Sequence, residues 1–137
     1  MKTLELKGHL LNMFVALAMG GKEGDDLRVP FDDWDCGIIY KGNNFRPERD
    51  VGAIWPEVMR LRISHADAGH GRWLVTMPSS NDSQVPPFPP CDCANPLDGY
   101  RLAIVWTAFG AEVPDTIQSR LFGLVTLSPF NEEVAKT

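Results

Sequence analysis

The stretch VPPFPPCDCANP, residues 85–96, does most to limit how this chain folds. Residues 78–96 hold six of the eleven prolines. Consecutive prolines favour an extended, stiff chain at low entropic cost. Residues 78–97 are therefore predicted to be a Pro-rich loop within a single domain spanning residues 1–137. Phe88, between two proline pairs, is expected to lie buried against its own domain, with docking onto a partner as the other reading.

Around that loop the pattern is β-rich. VMRLRIS, residues 58–64, alternates Met59, Leu61 and Ile63 with Arg60, Arg62 and Ser64, the period of a half-buried strand. GRWLVTMP, residues 71–78, reads as its hairpin partner, with HADAGHG as the turn. RLAIVWTAF, residues 101–109, is nearly all apolar and rich in β-formers, and reads as a central strand. RLFGLVTLSPF, residues 120–130, reads as a last strand with a bulge at Gly123, and CGIIYKG, residues 36–42, as a short strand. Residues 3–19 fit either a helix or a strand, with a slight lean to strand, and EVPDTIQS has room for one helical turn. The expected fold is mainly β or α+β. It is a small five- to six-stranded antiparallel sheet or partly open barrel, with one or two short helices.

A chain of 137 residues, 44% hydrophobic and 23% charged, suits one globular domain. The net charge of −5 argues against a general grip on duplex DNA. No apolar run reaches the length of a membrane span, so no membrane partner is expected. The amino-terminal segment loosely resembles a secretory leader, but Glu5 sits in its charged region and His9 and Asn12 interrupt its apolar run, so a cytoplasmic location is expected.

Three cysteines are too few, and odd in number, for a disulfide scaffold. His65, His70, Cys91 and Cys93 make an alternative zinc set of two histidines and two thiols. The single residue between Cys91 and Cys93 counts against it, because zinc knuckles use two to four, and the two thiols are expected to splay apart. No cofactor is otherwise expected. No nucleophile elbow, phosphate loop or calcium loop is present, and His65, Asp67 and His70 read as a solvated turn. An enzyme is not the expected reading.

Two charge features remain. Residues 41–73 carry six cations against four carboxylates, with Tyr40, Phe45, Trp55 and Trp73 interleaved or adjacent. Arg46, Trp55, Arg60, Arg62 and Trp73 would make a face for single-stranded nucleic acid, the alternative function. GGKEGDDLRVPFDDWD, residues 20–35, holds six of the eighteen acids. Asp32, Asp33, Trp34 and Asp35 are the candidate contact patch of the leading reading. That reading is a non-enzymatic protein-binding module, acting as an acidic inhibitor or modulator that occupies the basic, nucleic-acid-binding surface of another protein.

Overall fold

The computed structural model describes residues 1–79 and 85–127. It is a mixed α+β domain. Among the described residues there are three α-helices: α1 (Gly8–Ala18), α2 (Trp55–Leu61) and α3 (Pro96–Phe109). Strands β1 (Leu27–Arg28), β2 (Ile39–Tyr40) and β3 (Asn43–Asn44) form one antiparallel sheet. A second sheet runs β4 (Ser64–Gly69), β5 (Arg72–Thr76), β6 (Cys91–Cys93), and a hairpin joins β7 (Thr116–Ser119) to β8 (Gly123–Thr126). These are three separate small sheets, not one five- or six-stranded sheet and not a closed barrel.

The centre of the molecule is α3, which corrects the reading of residues 101–109 as a strand. Every residue from Gly99 to Trp106 is buried, so the helix is covered on all sides and shows no amphipathic period. A short apolar run does not distinguish a buried strand from a buried helix. The deciding signals lie upstream, at the end of the proline loop. Asn95 Oδ1 accepts a hydrogen bond from the Leu97 amide at 3.0 Å, and Pro96 occupies the first turn. Against α3 pack α1, through Leu10, Met13, Phe14 and neighbours, and the second sheet, through Val75. Gly99 makes the latter approach close: a Cβ there would sit 2.4 Å from Val75 Cγ2.

Four other elements differ from the sequence reading. Residues 8–18 are helix, not strand: Leu10, Phe14 and Leu17 share one side. Residues 58–61 belong to α2, where burial follows Ile54 and Val58, one turn apart, and Met59 is exposed. The alternation in VMRLRIS is coincidental, because the helix stops at Arg62 in a left-handed cap and Ile63 then turns inward. Hence the strand paired with β5 is the presumed turn itself, SHADAG, in register from Ser64–Thr76 to Gly69–Arg72. EVPDTIQS contributes β7 rather than a helical turn. Of the predicted last strand, residues 128–130 lie outside the described residues, as do residues 80–84 of the proline loop.

The described part of that loop lies on the domain. Phe88 is buried edge-on to Trp106, whose indole N–H donates to the Pro86 carbonyl at 2.7 Å. A polar link crosses the core behind it. The guanidinium of Arg101, buried in α3, donates to Asn12 of α1 at 3.1 Å and to Asp98 at 2.6 Å. The Asn12 amide in turn donates to Glu48 at 2.7 Å. A buried charge is tolerated when it is paired and its donors are used, as here.

Candidate functional site

The acidic segment and the β7–β8 hairpin meet to form one surface. The segment runs from Lys22 through β1 to Asp35, and its backbone is fixed locally. Asp26 accepts from the Lys22 amide at 2.7 Å, and the Gly24 amide donates to the Leu27 carbonyl at 2.8 Å. Glu23 then reaches across to the hairpin. Its carboxylate accepts from Ser119 Oγ at 3.1 Å and from the Arg120 amide at 3.0 Å. Arg120 answers by donating to the Gly24 carbonyl at 3.2 Å, and its methylenes lie where a Gly24 side chain would stand. Gly24 has φ of +85°, so glycine serves both the backbone and the close approach.

The hairpin tip is a three-residue loop, residues 120–122, closed by Gly123 at φ +73°. Ser119 Oγ accepts from the Leu121 and Phe122 amides at 3.2 and 3.1 Å, which sets the turn. Leu121 and Leu124 are left 78% and 69% exposed, and Phe122 is 37% exposed. Phe122 meets Phe31 edge-on at 5.8 Å, and Phe31 meets Trp34 at 5.7 Å. Three rings thus run from the core to the surface. Between hairpin and acidic segment is a groove of about 620 Å³, with Asp25, Asp32, Arg28 and Cys36 on its walls beside Leu121 and Phe122.

Of the predicted contact patch, Asp32, Asp33 and Asp35 are exposed and Trp34 is not. Trp34 is 3% exposed, so it supports the patch from below and cannot anchor a partner. Asp33 accepts from the Cys36 thiol at 3.2 Å. That hydrogen bond, the charge of Asp33 and those of Asp32 and Asp35 push the Cys36 thiol above its usual range. The exposed apolar residues Leu121, Phe122 and Leu124 do not stand out in the sequence, because RLFGLVTLSPF reads as one strand with a bulge at Gly123. The available signal was Ser119 followed by Gly123, the ends of a three-residue hairpin turn.

The alternative sites fare differently. Arg46, Trp55, Arg60, Arg62 and Trp73 do not share a sheet face. They fall on the loop after β3, on α2, on its left-handed cap and on the central strand of the second sheet. Arg60 is paired with Glu57 at 2.7 Å, and Trp73 packs edge-on to His65. The four zinc candidates are not brought together either. Register aligns His65 with Val75 and Val75 with Cys91, so His65 and Cys91 are two strand spacings apart, about 9–10 Å. His65 Nδ1 is engaged by the Tyr100 hydroxyl, and His70 lies in the β4–β5 turn. Among the described residues no three His, Cys, Asp or Glu side chains are grouped to hold a metal ion. Cys91 and Cys93 do not splay: alternate residues of a strand share a face, and these two share the face toward α3.

No helix among the described residues is long and apolar enough to cross a membrane. No protein-family model, curated protein or solved structure matches the chain.

Proposed function

We propose that the chain is a non-enzymatic docking module whose acidic groove and hairpin tip seat on a basic, nucleic-acid-binding surface of another protein, inhibiting or modulating it. The observation that carries this reading is that Leu121, mostly in water, lines one groove with the exposed carboxylates of Asp25 and Asp32, while Leu124 on the same hairpin and Asp33 and Asp35 next in the acidic segment are exposed as well. Exposed aliphatic side chains grouped on a fixed turn mark an interaction site. Carboxylates around them steer a cationic partner and repel nucleic acid and other acidic surfaces. Glu23 and Arg120 hold the two halves in place before any partner arrives, which lowers the ordering cost of binding.

The test is a pull-down from cell lysate treated with nuclease, comparing the wild-type chain with Asp32→Lys/Asp33→Lys. A basic protein retained by the wild type and lost from the variant, with the variant's circular dichroism unchanged, supports the reading. Equal capture by both, or capture that disappears with nuclease, overturns it.

A further inference from the structure

We propose that Cys91 and Cys93 form a two-thiolate binding site for a soft monovalent metal ion, Cu(I). The site is independent of the docking groove. β6 is only three residues long, Cys-Asp-Cys, and pairs with β5 so that Cys91 faces Val75 and Cys93 faces Trp73 across the ladder. Both thiols therefore stand on the face that packs against α3, two residues apart on one strand. Asp92, between them, points to the other face and takes the guanidinium of Arg72 at 2.8 Å.

Burial favours the neutral thiols, a cost that binding of the ion must offset, and two neighbours of Cys93 work the other way. The Gly99 amide, in the first turns of α3, donates to the Cys93 sulfur. Such a donor favours the anionic form that binds metal. Asp92 and Asp98 are the nearby carboxylates, and each is paired with a guanidinium, Asp92 with Arg72 at 2.8 Å and Asp98 with Arg101 at 2.6 Å. Arg72 lies close enough to favour the Cys93 thiolate. Cys93 is buried and Cys91 half-buried on an edge strand, so an ion arriving from solvent meets Cys91 first.

The ligand count selects the ion. Zinc requires four ligands, and only two are grouped here. Thiolate sulfur selects Cu(I) among the common monovalent ions, and Cu(I) is content with two such ligands. A disulfide fits the strand less well. Alternate residues of a strand are about 6.6 Å apart, near the upper limit for bridged Cα atoms, and their parallel Cα–Cβ bonds keep the Cβ atoms beyond bridging distance. Oxidation would have to kink β6 off β5, whereas an ion between the sulfurs would not. On binding, each thiol releases its proton to water and both sulfurs bond to copper, which stays Cu(I).

The experiment is an anaerobic titration of the reduced full chain against Cu(I) presented as its bicinchoninate complex. The wild type is expected to withdraw one copper per chain, with sulfur-to-copper charge transfer in the near ultraviolet. Cys91→Ser and Cys93→Ser are expected to lose both signals, and Cys36→Ser to keep them. Should Cys93→Ser fail to fold, Cys91→Ser decides alone, since its side chain is partly in solvent. Failure of the folded wild type to take copper overturns the proposal. So does undiminished uptake by folded Cys91→Ser, or loss of uptake in Cys36→Ser, which would mean a site shared between chains.

Discussion

Among the described residues, the β7–β8 tip and helix α2 each leave large apolar side chains in water, and their neighbours differ in charge. At the β7–β8 tip Leu121 and Phe122 share a groove with Asp25 and Asp32, and Leu124 is exposed on the same hairpin. On α2 Trp55 and Met59, 45% and 61% exposed and one helical turn apart, stand beside Arg60 and Arg62. The areas are alike, but the support is not. The hairpin is tied to the acidic segment by four atoms of Glu23 and Arg120, whereas the seven-residue α2 buries mainly Val58. Exposed apolar area alone therefore does not say what binds. The sign of the surrounding field decides which partner is drawn in, and the rigidity of the support decides what ordering the partner must impose.

The largest expected effect is at the hairpin. Leu121→Ser with Leu124→Ser should weaken binding of the captured partner by about 3 kcal/mol, roughly a hundredfold, since two leucines would no longer be desolvated. Calorimetric titration reads the affinity, and thermal melting should show little change because both side chains are exposed. Next is Gly24→Ala. A methyl group there meets Arg120 Cδ at 2.5 Å on a backbone at φ +85°, so urea unfolding should show a loss of about 2 kcal/mol. A neutral result would mean that the hairpin is not held as described.

The α2 surface supplies the contrast. Trp55→Ala with Met59→Ala should change stability by no more than about 0.5 kcal/mol and leave partner affinity within twofold. An affinity loss as large as that of the hairpin variant would break the comparison and make α2 part of the interface.

A smaller effect separates both surfaces from the interior. Burial, followed by the charge and hydrogen bond of Cys93, pushes the Cys91 thiol up from 9.0 to about 11, and burial raises Cys93 and Tyr100 as well. The fold favours the neutral form of each. Their stabilisation is thus complete below the unfolded pKa, near 9 for the thiols, and is lost as pH rises through the folded value, about 11 for Cys91. Urea midpoints measured from pH 8 to 11 should fall over that window, and less steeply in Cys91→Ser. An identical fall in that variant would remove Cys91 as its source.

The acidic segment was legible because its carboxylates sit together in the chain, and local polar runs stay at the surface whatever the fold. β5 was legible too, since RWLVT is short, β-branched in part and closed by Gly71 and Pro78. The helix α3 was not: its strand-like composition reflects burial on every side, and its cap lies in the proline loop that hid it. Trp34 and Leu121 exchange their expected places for a related reason. A tryptophan among acids looks exposed and a leucine in an apolar run looks buried, yet Trp34 packs inward, edge-on to Phe31, which meets Phe122 in turn, and the hairpin turn pushes Leu121 out.

What the sequence determined by itself is what depends on near neighbours: a fold either mainly β or α+β, an acidic surface segment, a proline-rich connection, and a thiol pair one residue apart. What only the tertiary structure decided is what depends on distant partners. Glu23 and Arg120, nearly a hundred residues apart in the chain, make the groove. α3 and β5 give the thiol pair its shared face and its backbone donor. Periodicity records which side of an element is buried, and it carries no record of which remote side chain does the burying.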